Sequence, residues 1–166
     1  MNQIMLNIPQ YGPWMRVQKA DDSCRQLADR HYTRQTIGAP HFTRPGRNLV
    51  LRTALGDAVW VTWSGLRDDG LDAWECTIFR NESARLSSDM IRAAVTATQA
   101  EWGAPPADGI ITYVDAGKVR SVNPGFCFKA AGWRQIGRSK RRGLVLLQYK
   151  LSGHSPKGDD NHGIYN

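Results

Sequence analysis

The order in which helix-type and strand-type patterns follow one another is the feature that most constrains this fold. A helix pattern comes first, two strand patterns form a hairpin, and a further strand pattern leads into a longer helix. Another strand, a short helix and two final strands complete the order. Such an alternation is typical of an α/β domain in which helices cover a sheet. The 166 residues suit one domain, because domains commonly have about 100–200 residues.

An amphipathic pattern predicts the first helix over about residues 20–31. Cys24, Leu27, Ala28 and His31 follow the i, i+3, i+4, i+7 spacing of one apolar helix face. We therefore expect His31 to end the buried stripe and to point inward at the carboxyl end of this helix.

The remaining elements follow from apolar periodicity, strand alternation and turn residues. A helix over about 88–102 is expected to be capped by Ser87 or Ser88, and Gly132 suits the left-handed position after a short helix. The other predicted ranges are a hairpin over 49–64, strands over 74–80 and 109–116, a short helix over 124–131, and strands over 133–139 and 143–151. They predict an α/β fold with a mixed, mostly antiparallel sheet flanked by helices.

Several protein classes are excluded by composition. No stretch approaches the roughly 18 apolar residues of a membrane helix, and the first residues lack the basic and apolar regions of a secretory signal. The three cysteines, Cys24, Cys76 and Cys127, are scattered, which argues against a disulfide framework and against a cysteine-based zinc site. A reducing cytoplasm is therefore the expected location.

One domain over 1–151 and a loose tail over 152–166, rich in Gly, Ser, Asp and Asn, are the expected organisation. The histidines of the tail, His154 and His162, do not have the neighbours of a metal ligand set, so no metal site is expected. The chain also lacks the P-loop motif and the G-x-G-x-x-G motif, which leaves the two common glycine-rich nucleotide sites without support.

Positive charge is segregated along the chain. The formal net charge is +7, and residues 30–56 and 116–158 contain no acid. If both segments meet in the fold, they form one positive face that attracts phosphates. The alternative is a basic surface that only keeps the protein soluble. The side chains that we predict to bind DNA are Arg34, Arg44, Arg47, Arg138, Lys140, Arg141 and Arg142.

A candidate phosphate site lies where the strand over 74–80 leads into the helix over 88–102. A helix N-terminus carries unpaired N–H groups and a partial positive charge, so it can hold a pyrophosphate. The alternative is that the serines are helix caps and nothing more. The predicted cradle consists of Arg80, Arg85, Leu86, Ser87 and Ser88.

The carboxyl-terminal sequence FCFKAAGWRQIGRSKRRGLVLLQYKL resembles the end of the GNAT acyltransferase superfamily. That family has an aromatic residue, three further residues and then Gly-Phe, and here Phe128 and Gly132-Trp133 occupy those places. The resemblance implies a single-domain GNAT-like fold that binds acetyl-CoA or another acyl-CoA. The pyrophosphate of the acyl-CoA would lie at the turn 80–88. Its pantetheine arm would lie between the strands over 74–80 and 109–116.

Two positions depart from the family pattern. The usual phosphate turn, R/Q-x-x-G-x-G/A, lacks its glycines at residues 85–88. Phe128 stands where the family often has a tyrosine that acts as general acid, and a phenyl ring has no proton to give. An acyltransferase built on this chain must therefore take its acid and base from other residues.

The pair His31-Tyr32, after the first helix and before a basic loop, resembles the His-Tyr element of Mom-type phage DNA-modification proteins. Those GNAT-like proteins modify adenine in DNA, so the resemblance implies transfer to a nucleobase amine, adenine above all. The segments HYTR, GRNLVL, WECTIFRN, LSSDMI and the Gly-Trp end carry the same resemblance. A base amine must leave the stack before it can react.

Five side chains are candidates for the chemistry of such a transfer. His31 is the best base by intrinsic pKa, Glu75 is an alternative base, Tyr32 or Tyr113 can donate, and Asp115 can orient or accept. Each has a structural alternative: a helix-end histidine for His31, a buried ion pair with arginine for Glu75, and a turn residue for Asp115. Aromatic residues near the cleft that can stack on a base, but are more often core, are Tyr32, Phe42, Trp60, Trp63 and Tyr113.

Two other functions remain open at this stage. An ordinary GNAT N-acyltransferase would act on a protein or small-molecule amine, with the basic loops serving the cofactor or an acidic substrate. A non-catalytic GNAT-fold protein would bind nucleic acid or another protein, which the missing glycines and Phe128 favour. DNA is the predicted partner because the excess charge lies outside the expected cofactor turn.

Overall fold

An eight-stranded sheet with three helices makes up residues 10–119 and 123–150, the part of the chain that the computed structural model describes. The strands are β1 (Gln10–Tyr11), β2 (Trp14–Val17), β3 (Arg47–Thr53), β4 (Ala58–Ser64), β5 (Trp74–Asn81), β6 (Ile110–Val114), β7 (Arg134–Arg138) and β8 (Val145–Tyr149). The helices are α1 (Asp22–Asp29), α2 (Ser87–Trp102) and α3 (Phe126–Ala130). This confirms the predicted α/β fold. The predicted tail, with its two histidines, lies outside these residues.

The strand order is β1-β2-β3-β4-β5-β6-β8-β7. Neighbours run antiparallel except β5 and β6, which are parallel because α2 connects them. The sheet is therefore mixed and mostly antiparallel, as predicted. None of the helices in the described ranges combines the length and the apolar character that a membrane span requires.

The larger core lies between the sheet and the helices α2 and α3. Trp60 of β4 is fully buried there, and its ring lies 5.7 Å from Phe79, 6.3 Å from Phe128 and 6.4 Å from Trp133. Gly132 adopts φ 94 after α3, as the sequence predicted, and so turns the chain from α3 into β7. Phe128 is thus a core residue, packed edge-on against Trp133 at 5.0 Å.

The opposite face of the sheet is covered by α1. Asp21 caps this helix by accepting a hydrogen bond from the Cys24 N–H at 3.0 Å, and Cys24, Leu27 and Ala28 are buried as predicted. The helix ends at Asp29, so the expectation that His31 belongs to its buried stripe is wrong. Asp29 instead turns to Arg34 and to the Gly38 N–H, which draws the following chain away from the helix axis.

Strands β5 and β6 separate after a very short contact, and we call this place the fork. Only Trp74 with Ile110 and Glu75 with Ile111 form parallel pairs in the described chain. Opposite β4, β5 carries an extra residue at Thr77, since Cys76 faces Thr62 and Ile78 faces Val61. The Thr77 hydroxyl oxygen is buried without a partner. Beyond the fork, the Thr112 hydroxyl of β6 donates to the Cys76 carbonyl oxygen of β5 at 2.9 Å.

The hairpin of β1 and β2 was not predicted. Its strands have two and four residues, which is too short for an alternating pattern to stand out. Trp14 is nevertheless fully buried, and its indole N–H donates to the Met90 carbonyl oxygen at 2.8 Å. The hairpin thus extends the sheet and fastens it to α2.

Candidate functional site

A cavity of about 520 Å³ lies beside the fork, on the face of the sheet that carries α1. Trp63 shares that face because it follows Val61 by two residues on β4, and Glu75 on β5 stands directly opposite Trp63. Tyr113 of β6, the segment 66–71 and the turn between β7 and β8 complete the lining. The volume lies in the range of small-molecule sites, about 300–1,000 Å³.

A buried arginine organises this cavity. Arg67 is only 9% exposed and donates to Glu75 Oε1 at 2.9 Å and to Asp69 Oδ1 at 3.0 Å. Its hydrogen bonds lower the pKa of Asp69 to about 2. The Tyr113 hydroxyl donates to Asp69 at 2.9 Å, and burial together with this hydrogen bond raises the pKa of Tyr113 to about 12. Tyr113 therefore keeps its proton, and that proton is directed to Asp69.

Neither Arg67 nor Asp69 was among the predicted site residues. They belong to the segment RDDG, which reads as a polar turn. No local signal distinguishes this turn from a solvated one, because the partner Glu75 becomes its neighbour only when the turn folds back over the sheet.

A second arginine reaches the same carboxylate from the basic loop. Arg44 Nη1 lies 3.2 Å from Glu75 Oε2, and its guanidinium carbon lies 5.1 Å from the centre of the Trp63 ring. Arg67 lies over the same ring at 5.4 Å. Glu75 thus forms the buried ion pair that was the alternative interpretation, with two arginines. Trp63 is covered by guanidinium groups and is only 6% exposed.

The turn between β7 and β8 brings cationic side chains to the mouth of the cavity. Ser139 N–H donates to the Leu144 carbonyl oxygen at 2.8 Å and Gly143 N–H donates to the Ser139 carbonyl oxygen at 3.1 Å, so the turn is held in shape. With Arg44, the two acid-free segments meet at this cavity. The predicted DNA-binding residues that line it are Arg44, Arg138, Lys140, Arg141 and Arg142.

Two arginines predicted to bind DNA are committed elsewhere. The Arg34 guanidinium is 8% exposed and donates to Asp29, to the His41 carbonyl oxygen and to the Ala39 carbonyl oxygen, so it shapes its own loop. Arg47 shares the α2 face of β3 with Leu49 and stacks on Trp102 at 4.4 Å. Neither arginine lines the cavity, because charge along the sequence does not reveal the direction of a side chain.

His31, Tyr32 and Asp115 meet at the carboxyl end of β6. The His31 and Tyr32 rings stack at 4.5 Å, and the Asp115 N–H donates to the Tyr32 hydroxyl at 3.4 Å. Burial raises the pKa of Tyr32, so this phenol keeps its proton for a further acceptor. Arg142 lies 3.8 Å from Asp115 and also lines the cavity, so this side chain lies between the two groups of residues.

The environment of His31 argues against its expected role as the base. Burial, and then the charge of Arg80, lower the pKa of His31 to about 4, so the imidazole is neutral at neutral pH. Its Nδ1 lies 2.7 Å from the Thr33 hydroxyl oxygen and 3.3 Å from the Thr33 backbone nitrogen. Thr33 therefore holds the imidazole, and the His31 ring supports Tyr32.

The pH dependence of stability provides a test of this assignment. Unfolded His31 takes up a proton near pH 6.5, whereas the folded protein does so near pH 4. The stabilising contribution is thus complete above pH 6.5 and is lost as the pH falls toward 4, by roughly 3 kcal/mol. We expect His31→Asn to flatten the pH dependence of the free energy of unfolding between about pH 4.5 and 6.5, measured by urea titration.

His41→Asn is the matched control, since His41 is an exposed histidine of the same loop. It should retain the wild-type slope. An unchanged slope in the His31→Asn variant would show that His31 is not held neutral by the fold.

The amino terminus of α2 differs from the predicted capped helix. Its first residue is Ser87, the N-cap position is Leu86, and no side chain caps the helix. Ser87 Oγ accepts from Asn81 Nδ2 at 3.1 Å, and Ser88 is buried, so neither serine is a cap. Asn81 Nδ2 also donates to the Arg85 carbonyl oxygen at 2.8 Å, so the Asn81 side chain holds the loop before α2.

The predicted phosphate cradle is only partly assembled. Arg85 is exposed beside the uncapped first turn of α2. Arg80 instead donates to Glu82 and to the Arg30 carbonyl oxygen, so it serves the end of α1 and does not join the cradle. Uncapped N–H groups, aided by Arg85, still suit an anion.

All three cysteines are free, and the described residues contain no group of three His, Cys, Asp or Glu side chains that could hold a metal ion. Phe42 and Trp60 lie in the core, so neither offers a face to a base. Comparison with models of protein families, with curated proteins and with solved structures finds no match in any of the three.

Proposed function

We propose that this chain is a GNAT-like, Mom-type transferase that modifies a nucleobase amine in DNA, with adenine as the favoured base and an acyl-CoA as donor. The observation that carries the proposal is the position of the cavity at the fork. Glu75 is the last residue of β5 that pairs with β6, and it lines the cavity together with Tyr113. An acceptor in the cavity and a donor held in the fork would therefore meet.

The donor side fits an acyl-CoA in two respects. β5 and β6 do not pair beyond Glu75 and Ile111 in the described chain, and the first turn of α2 has no side-chain cap. The uncapped N–H groups of α2 and Arg85 would hold the phosphates. The acyl-CoA would supply an activated acyl group as its thioester.

The acceptor side fits a nucleic acid. Six cationic side chains line the cavity and its mouth, against three acids, and two of those acids, Asp69 and Glu75, pair with Arg67. Phosphates on either side of a flipped base would contact the turn between β7 and β8. The amine nitrogen would bond to the acyl carbon as the thioester C–S bond breaks and CoA leaves as its thiolate. Glu75 is the carboxylate placed to take the proton that the amine loses. Tyr32 retains a hydroxyl proton with which to stabilise a developing oxyanion.

Nucleoside analysis tests the proposal directly. DNA from cells that express the protein is hydrolysed to nucleosides and separated by reverse-phase chromatography with mass detection. We expect a new, heavier deoxyadenosine species and a matching loss of deoxyadenosine. An unchanged nucleoside profile, with the protein folded and soluble in those cells, would overturn the proposal.

A non-catalytic nucleic-acid binder is the second candidate, and the two ion pairs of Glu75 favour it. Both oxygens of that carboxylate are engaged, and Phe128 is enclosed in the core. Such a protein would bind DNA tightly, but it would release no free thiol from acyl-CoA when DNA is present. A thiol-release assay with purified protein, DNA and acetyl-CoA separates the two functions.

A further inference from the structure

The Arg44 guanidinium occupies a place with the properties of a base-binding site. It is a flat group of hydrogen-bond donors that lies over the Trp63 ring at 5.1 Å and faces Glu75 Oε2 at 3.2 Å. A nucleobase with an exocyclic amine is also flat, and it also carries donors on its edge. Glu75 is 4% exposed, so the acceptor that Arg44 uses is shielded from water.

The surroundings of this place are rigid. The Trp63 indole N–H donates to the Pro45 carbonyl oxygen at 2.9 Å. A Cβ at Gly65 would come within 2.6 Å of the indole and one at Gly46 within 2.9 Å, so both glycines are needed for the ring to fit. Arg67 holds the other oxygen of Glu75. The platform and the acceptor are therefore formed in advance.

The Arg44 side chain, in contrast, can move away from Trp63 and Glu75. Its side chain is 53% exposed, whereas that of Arg67 is 9% exposed. Its backbone is held separately, because Asn48 Nδ2 donates to the Arg44 carbonyl oxygen at 2.8 Å. The guanidinium can thus swing out without disturbing the loop.

We propose that Arg44 is an internal stand-in for the substrate base: it covers Trp63 and Glu75 in the free protein, and it swings to a phosphate when a base with an exocyclic amine enters. This rests on the proposed function, and it names the recognition chemistry of that site. The amine donates to Glu75 Oε2 and the ring lies over Trp63. Departure of Arg44 also frees the oxygen that takes the proton.

The acceptor chemistry selects among bases. A carboxylate oxygen only accepts hydrogen bonds, so the base must present a donor. Adenine, cytosine and guanine carry an exocyclic amine, whereas thymine presents carbonyl oxygens on either side of its one ring N–H. The oxygens on either side of that N–H would be repelled by the carboxylate, so thymine should bind more weakly than the bases with an exocyclic amine.

Removal of the stand-in should improve the binding of a free nucleoside. A nucleoside has no phosphate to draw Arg44 away, so in the wild-type protein it must compete with that side chain. We expect Arg44→Ala to bind 2′-deoxyadenosine about tenfold more tightly than wild type, and thymidine no more tightly. The readout is the NMR signal of the Trp63 indole N–H, which the bound ring should shift.

Arg92→Ala is the matched control, since Arg92 is also 53% exposed and also paired with a carboxylate, Asp89, but lies on α2. It should bind deoxyadenosine as wild type does. If Arg44→Ala fails to fold, Arg44→Gln replaces it in the same binding test, because glutamine keeps most of the aliphatic part of the side chain. Equal binding of deoxyadenosine by wild type and by a folded Arg44 variant would overturn the proposal, as would equal gains for both nucleosides.

A duplex DNA arm tests the second half of the exchange. Arg44 should contact a phosphate in the complex, so Arg44→Ala should reduce the slope of log affinity against log salt by about 0.9. An unchanged slope would overturn the swing to phosphate. Neither arm requires acyl-CoA or turnover, so a failure here is distinct from the failure of nucleoside modification that would overturn the proposed function.

Discussion

Glu75→Gln is expected to lower the rate of base modification about 10²- to 10⁴-fold, the usual contribution of a general base. The substitution preserves the shape of the side chain and an oxygen that can accept from Arg67, but it removes the group that takes the amine proton. Arg67 retains its hydrogen bond to Asp69 at 3.0 Å, so the buried guanidinium keeps a charged partner. The measurement is the initial rate of thiol release with acetyl-CoA and DNA.

Glu101→Gln is the control for this experiment. Glu101 also pairs with an arginine, Arg16, at 3.1 Å and accepts from Tyr11 at 2.7 Å, but it lies on α2 away from the cavity. It should retain the wild-type rate. If Glu75→Gln retained that rate while folded, Glu75 would be a structural ion-pair residue and the base would have to be another group.

Neutralising the turn between β7 and β8 should cause the largest loss of DNA binding. Lys140, Arg141 and Arg142 line the cavity mouth, and each phosphate contact contributes about 0.9 to the slope of log affinity against log salt. A triple alanine variant should therefore reduce that slope by about 2.7. Fluorescence anisotropy of a labelled duplex over a range of salt concentrations measures it.

A second triple variant with the same change of net charge shows whether the place of the charge matters. Arg16, Lys19 and Arg92 are exposed and do not line the cavity. Their replacement with alanine should change the slope little. Equal effects of both triple variants would mean that DNA responds to net charge alone and that the turn is not the docking element.

Most of the sheet could be predicted because its signals are local. β4 lies within the predicted hairpin and β3 begins two residues before it, while β5, α2 and β6 fall within a residue or two of their predicted bounds. Helix α1 shows the limit of such reasoning. Its apolar spacing continues to His31, but a helix ends where its backbone groups find other partners, and the loop contacts of Asp29 decide that point.

Only part of the candidate site could be predicted from the sequence. Glu75 and Tyr113 were recognised by residue type, yet Arg67 and Asp69 were missed, although they hold both residues in place. Their roles depend on the segment 66–71 folding over the start of β5. A turn rich in charge has the same appearance whether it is solvated or buried against a partner that is distant in sequence.

The sequence by itself determined the elements, the mixed sheet and the separation of basic from acidic segments. Periodicity, turn residues and charge depend only on residues that are close together in the sequence. Only the tertiary structure decided which cations face the cavity. Strand alternation sends Arg47 to the α2 face and buried hydrogen bonds engage Arg34, while Arg44 reaches Glu75 across the sheet. The direction of a side chain and its final partner are set by packing between distant segments.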